Sequence, residues 1–373
     1  MEATMFMSKL STAISAVGSS VIVALFLGGC QPVEKKPAEQ GAVRLNSSSQ
    51  STKSNLNIWR PGSVKKKSAL KFEPLGRFVD GNSFTLSNGK VVELADWPTV
   101  SISSNEDGNC TSTLVGPRTI LTAAHCVDAG KNPGEKDPEL TGSITIAGDK
   151  FDLVSCTMHF EYKAQPQNSD GGVRDTRDFA LCKLDRSVDL SRISPESLDM
   201  STMTDVGHQI LLAGYGCVNI RITAAEDLIY DPADGELRMG DDEVYRIKNS
   251  VSTEDNGIWV SSKAIWDPSN KSEKAKQEKN EKDEPTLCPG DSGGPVMTGA
   301  SIDNQRASRR VVAVNSAVGW ERNGAKYNLY SFVSPLGTAD FRKFLEKYLA
   351  EPENKGTIIC GYNRRPGFGG CRA

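Results

Sequence analysis

The sequence predicts an all-β protein, antiparallel strands rolled into barrels with one C-terminal helix. From Phe78 onward the chain breaks into short alternating or apolar runs separated by turn residues, clearest in TLVGPRTILTAAH, SITIAGDKFDLVSC, QILLAGYG and RRVVAVNSAVGW, the pattern of half-buried strands. Antiparallel strands at this spacing suit barrels better than parallel-sheet units. One stretch reads differently: ADFRKFLEKYLAE, Ala339 to Glu351, sets Phe341, Phe344, Leu345 and Leu349 at helical spacing. About 270 residues from Phe78 to Ala350 suffice for two packed barrels with a cleft between them.

Upstream of this region the composition changes. Residues 1–29 read as a signal peptide, with Lys9 marking a weakly basic start, an apolar run to Leu27 and small residues at the end. The run is too short and too poorly flanked for a membrane-spanning helix. Its ending, LGGC from Leu27 to Cys30, resembles the bacterial lipobox, whose cysteine is lipidated and becomes the first mature residue; an ordinary secretory signal with an incidental cysteine is the other reading. Gln31, in place of Asp, favours the outer membrane by analogy. The expectation is export from a bacterial cell with a lipid anchor on Cys30 in the outer membrane or cell envelope, or else release outside the cell.

Residues 31–72, rich in Lys, Ser, Gln, Asn and Pro, hold too few apolar groups to offset the entropy of ordering. Residues 30–77 are therefore expected to form a flexible tether, or a propeptide. Lys65, Lys66 and Lys67 suit either a solvated linker or a lipid-headgroup contact. A second polar, mixed-charge run, Ile265 to Thr286, reads as a solvated loop; long loops also gate clefts or dock partners. With 44 Lys and Arg against 47 Asp and Glu, net charge −3 and both signs interspersed, nothing points to nucleic acid. No metal-ligand cluster of the required spacing appears. Nine cysteines in an exported chain point to disulfides, and setting Cys30 aside leaves eight.

The chemistry concentrates in CPGDSGGPV, Cys288 to Val296, where Ser292 lies among glycines at a point requiring a sharp backbone bend. A serine hydroxyl is too weakly acidic to attack an amide unaided, so it needs a general base and a group to orient that base. LTAAHC, Leu121 to Cys126, offers His125. DFALCKL, Asp178 to Leu184, offers Asp178, a carboxylate in an apolar, strand-like setting where it otherwise has little place. Each fragment has a plain structural counterpart: a Gly-rich turn, a histidine packed in a disulfide-bonded core, and a turn residue ahead of an apolar run, for which Asp175 is a near rival. His159 and His208 lack comparable surroundings, and His208, ahead of ILLAGYG, reads as structural.

Together, in the chain order His, Asp, Ser, these segments closely resemble the trypsin/chymotrypsin family of serine endopeptidases, over roughly residues 78–350. The resemblance implies a chymotrypsin-like fold. Two six-stranded antiparallel barrels, about 78–198 and 199–335, would enclose the cleft, with a helix over 336–351 packed on the second barrel and a disulfide-closed tail, 352–373. It implies that Ser292 attacks the scissile carbonyl, His125 takes and returns the proton, and Asp178 fixes the imidazole tautomer. The N–H groups of Gly290 and Ser292 would form the oxyanion hole, and Asp291 would be the buried carboxylate that locks the loop.

By the same resemblance Cys110 pairs with Cys126 around the histidine, and Cys156 with Cys182 beside Asp178. In relatives Cys288 pairs with a cysteine beyond the strand of Ser316. None follows here before Cys360, so Cys217 is its expected partner, leaving Cys360 with Cys371. Thr286 aligns with the base of the primary pocket and Ser316, Val318 and Asn328 with its walls. Lacking a carboxylate there, the pocket disfavours Lys and Arg, and Val318 narrows it toward small or medium uncharged residues. No IVGG occurs. FVDG after Arg77 is the nearest likeness, so cleavage after Arg77 would free Phe78 to pair with Asp291, across an interval to Trp97 longer than usual.

The expected function is hydrolysis of protein or peptide substrates through an acyl-enzyme, by a monomer, with no cofactor, metal or nucleic acid. The alternative is a non-catalytic cell-surface lipoprotein that keeps the fold for binding, although no triad member is missing. A triad esterase would bring a nucleophile elbow of GxSxG type and the order Ser, Asp, His; GDSGG, Gly290 to Gly294, has the letters of the first, but the order His, Asp, Ser does not fit.

Overall fold

The computed structural model describes residues 57–59, 86, 89–105, 108–128, 142–162, 177–200, 206–218, 220–222, 228–249, 257–266 and 284–373. The expectations for Cys30, for Lys65 to Lys67, for cleavage between Arg77 and Phe78, and for residues 267–283 of the charged loop lie outside the described residues. Two short strands, β1 (Asn57–Trp59) and β2 (Lys90–Val91), come first. Six more follow: β3 (Val100–Asn105), β4 (Gly108–Gly116), β5 (Thr119–Thr122), β6 (Ser143–Ile146), β7 (Asp149–Met158) and β8 (Ala180–Leu184). They close into a barrel in the order β3-β4-β5-β8-β7-β6. Buried and exposed residues alternate along β7, as a strand with one wet face requires. Ala147 and Gly148, at φ 50° and 88°, form the two-residue turn into β7, the geometry whose twist matches antiparallel strands.

The second sheet contains β9 (Gln209–Gly214), β12 (Arg238–Asn249), β13 (Gly257–Trp266), β14 (Pro295–Thr298), β15 (Arg310–Asn323) and β16 (Lys326–Pro335), while β10 (Ile220–Ile222) and β11 (Leu228–Tyr230) form a separate hairpin after β9. Its order is β1-β15-β14-β9-β12-β13-β16, and β15 also pairs with β16, so six strands return on themselves. Leu212, Val296, Val312, Leu329 and Val333 fill its interior. The architecture is that of the chymotrypsin fold. β1 is a departure, because Asn57–Trp59 fall within the segment whose composition predicts an unstructured tether. These residues pair with β15, whose backbone supplies the partners that the local sequence cannot.

The C-terminal helix, Ala339–Ala350, is capped by Thr338, whose Oγ1 accepts the Phe341 N–H at 3.2 Å. It buries Phe341, Phe344, Leu345 and Tyr348, while Leu349 is only partly covered. The family likeness puts this helix on the second barrel. Its aromatic face instead meets the first: Phe341 lies edge-on to Phe179 with centroids 4.8 Å apart, and Phe344 lies 5.8 Å from His159. Because Phe179 follows Asp178 directly, the helix buttresses the start of β8. His159 is accordingly a core residue, its Nδ1 accepting the Glu161 N–H.

Four disulfides join Cys110 with Cys126, Cys156 with Cys182, Cys217 with Cys288, and Cys360 with Cys371. The last closes a tail that is stitched to the first barrel by the Cys360 N–H on Val115 O and the Arg372 N–H on Pro195 O. Beside it lies a buried charge cluster. Glu196, with no exposed surface, accepts from Thr99 Oγ1 at 2.6 Å and from Arg309 Nη2 at 2.8 Å, forms an ion pair with Arg372, whose Nε lies 3.1 Å from Oε2, and the Arg309 guanidinium stacks 3.6 Å above the Trp97 ring. Trp97 leads into the first barrel, Arg309 into β15, and Arg372 belongs to the tail, so one carboxylate ties three regions. Removing one member of a buried ionic group leaves an uncompensated charge. Glu196→Ala should therefore cost about 3–5 kcal/mol in urea unfolding, and a loss under about 1 kcal/mol would contradict this account.

Candidate functional site

Two turns and one strand converge at the mouth of the first barrel. His125 lies in a single 3-10 turn, Ala124–Cys126, directly after β5, and the Cys110–Cys126 disulfide holds that turn to β4. Asp178 lies just ahead of β8 and is fully buried. Its Oδ1 accepts the backbone N–H of His125 at 3.0 Å, Oδ2 lies 2.8 Å from His125 Nδ1, and Ser316 Oγ of β15 donates to Oδ2 at 2.5 Å. A carboxylate only accepts, so Nδ1 carries the ring proton and Nε2 presents its lone pair. Nε2 is buried and bonds to none of the described residues, Ser292 Oγ included. Asp178 therefore orients the imidazole, whereas its sequence rival Asp175 lies outside the described residues, and Ser292 completes no hydrogen-bonded chain with it in this state.

Ser292 is nevertheless adjacent, and its loop is held from the first barrel. Its carbonyl accepts the Thr111 N–H at 2.8 Å and faces Cys126 Sγ at 3.7 Å. Thr111 Oγ1 donates to Gly290 O at 2.9 Å and accepts the Tyr215 N–H at 3.0 Å, so this buried β4 residue touches both sides of the bend. Asn315 acts from β15: its Nδ2 donates to Ala213 O and Asp291 O, and its backbone bonds Gly293 and Gly294. Gly290 has φ 104°, a conformation side chains resist, and a Cβ there would meet Gly216 Cα at 2.9 Å. Gly293, at φ 83°, leaves no room for a Cβ against Thr122 and Thr111.

Asp291 points inward. Its Oδ1 accepts the Gly216 N–H at 2.7 Å and Oδ2 the Cys288 N–H at 2.8 Å. Burial pushes its pKa up to about 7, opposed by the two amides and by Arg238 at longer range. Gly214 and Gly216 are required here, since a Cβ on either would overlap the Asp291 side chain.

A narrow cavity beside Ser292 is lined by Leu287, Cys288, Ala317 and Val318. Of the residues aligned with a pocket, only Val318 lines it. Ser316 is committed to Asp178, Thr286 is buried, and Asn328 Nδ2 reaches toward Tyr330 Oη at 3.5 Å. Leu287, Cys288 and Ala317 had only their neighbourhood to Thr286, Ser292 and Ser316 in the chain as a sequence signal, and Thr111 had none. Cys110, His125 and Cys126 bring one potential ligand atom each within 4.8 Å of one another. Both sulfurs are bound in the disulfide, so this trio does not read as a metal site.

The Trypsin family model matches residues 86–339, more than half of the chain, and the protein belongs to that family. Among curated proteins, phenoloxidase-activating factor 3 of Holotrichia diomphalia is 26% identical over 163 residues, 38% of this chain and 45% of that protein. The chain thus spans less than half the length of that relative. Solved structures it resembles include human heparin binding protein (16% identity, TM-score 0.44, covering 71% of this chain and 97% of that one) and neuropsin of mouse brain (18% identity, TM-score 0.41, covering 69% and 97%).

Two outcomes follow from the loop. Thr111→Val leaves Gly290 O and the Tyr215 N–H without this partner, and each orphaned group costs about 1–3 kcal/mol; urea midpoints should fall for Val and recover largely for Thr111→Ser. The pKa of Asp291 is raised in the folded state above the ordinary aspartate value of 3.8. Its contribution to stability is therefore full below that value and declines as pH rises toward about 7. Unfolding free energies of Asp291→Asn across this window should show a flatter pH slope than those of the parent, and identical slopes would refute the assignment.

Proposed function

We propose that the protein is a serine endopeptidase. The single observation that carries this reading is the Asp178–His125 pair, which fixes the imidazole proton on Nδ1 and leaves Nε2 as a base. In this mechanism Nε2 takes the proton of Ser292 Oγ as that oxygen attacks the scissile carbonyl, then returns it to the leaving amine. Asp178 stays ionised and stabilises the imidazolium, and Ser316 Oγ supports Asp178 from the opposite side. The oxyanion meets the N–H groups of Gly290 and Ser292, neither of which is bonded to a described backbone acceptor. Water then hydrolyses the acyl-enzyme by the same proton relay. Nε2 and Oγ are not yet bonded, and such contacts commonly tighten only when substrate binds.

The apolar lining of the cavity supports a preference for small or medium uncharged side chains over Lys and Arg, whose buried charge would lack a counter-ion there. One observation favours a second reading, a binding module on the same fold: the unbonded Nε2. A fluorophosphonate probe and a peptide library separate the two. The expected result is labelling of Ser292 and cleavage after small uncharged residues, with turnover in Ser292→Ala lower by about 10⁶. Absence of labelling at any pH from 6 to 9 would favour the binding module, and a profile dominated by Arg and Lys would refute the pocket assignment.

A further inference from the structure

β15 has different neighbours along its two edges. β16 flanks one edge from Ala313 to Asn323, including the pairs Val318 with Ser331, Gly319 with Tyr330 and Trp320 with Leu329. The other edge is shared out in sequence. β14 covers Arg310 to Val314. Asn315 then exchanges hydrogen bonds with the nucleophile loop, its N–H donating to Gly294 O at 2.9 Å and its O accepting the Gly293 N–H at 2.8 Å. After the two residues Ser316 and Ala317, β1 takes the same edge, with Asn57 opposite Trp320, Ile58 opposite Gly319 and Trp59 opposite Val318.

This register has a direction. From Asn57 to Trp59 the segment runs antiparallel to β15 and toward the cavity, because Val318 and Ala317 line that cavity with Ser292. An extended peptide gains affinity by adding a strand to an open sheet edge, its backbone bonded and alternate side chains in pockets. The edge beside Ser292 is of that kind, and it can hold only one strand at a time. Here it is held by the chain itself.

We propose that Asn57–Trp59 form an inhibitory strand, occupying the edge of β15 at Val318–Trp320 that an extended peptide must take to present a bond to Ser292. This rests on the peptidase reading for its consequence, though the competition for the edge does not depend on catalysis. The segment lies in cis, so it is always at high effective concentration, and an incoming peptide binds only the fraction of molecules in which it has left. Displacing or cutting the segment opens the site.

The test uses the full chain in a Ser292→Ala background, so that nothing is cleaved. A dye-labelled peptide copying Asn55 to Arg60 is titrated by anisotropy against the parent, against Ile58→Pro/Trp59→Pro, and against the milder Ile58→Gly/Trp59→Gly. Proline removes the N–H that a ladder needs. The expected result is binding tighter by about tenfold or more in both variants, with faster hydrogen exchange at Val318 to Trp320 when no peptide is present. Equal affinity in all three chains, or unchanged exchange, overturns the proposal. In the Ser292 forms of the same chains, fluorophosphonate labelling should speed up with the proline pair. Failure of every form to label, while the peptide still discriminates among them, would sink the peptidase reading and leave the competing strand standing.

Discussion

A fully buried carboxylate has to be surrounded by donors, and the site is organised by how Asp178 meets that requirement. Without partners its charge would be expelled from the interior or neutralised. The donors come from separate parts of the chain: the main chain and ring of His125 after β5, and Ser316 from β15 of the other sheet. Satisfying one group therefore brings the two barrels into register, sets the imidazole tautomer, and fixes the strand whose next residues line the cavity. The aromatic contacts of Phe179 with the C-terminal helix hold the same point from behind.

The nucleophile loop obeys a complementary rule. Its bend turns main-chain groups into the interior, where each needs a partner. Thr111, Asn315 and Asp291 supply those partners from three directions. The glycines around them have different reasons to be glycine. Gly290 and Gly293 need a backbone conformation that side chains resist, whereas Gly214 and Gly216 make room for the Asp291 carboxylate.

Much of this was legible in the sequence because it is local. CPGDSGGPV, LTAAHC and DFALCKL each encode a short backbone shape plus one reactive side chain, and the strand and helix periodicities are equally short-range. The parts that were not legible depend on pairings between distant residues. Thr111 looks like any strand threonine until its hydroxyl is seen against Gly290. Leu287 and Ala317 carry no chemical signal, and they line the cavity only because the segment ahead of Ser292 meets strand β15. Which barrel receives the helix turns on Phe179, not on the spacing of Phe341 and Phe344. β1 was the furthest from reach, since Asn57 to Trp59 sit in polar sequence and owe their extended form to an edge some 260 residues away in the chain.

The stacking of Arg309 on Trp97 has a practical consequence. Trp97 is wholly buried, its Nε1–H donates to Gln305 Oε1 at 2.9 Å, and a guanidinium covers its face. An indole under a cation differs in emission from one in water. The seam between the sheets thus carries its own optical reporter, through which loosening of the two halves can be followed without altering the residues of the site.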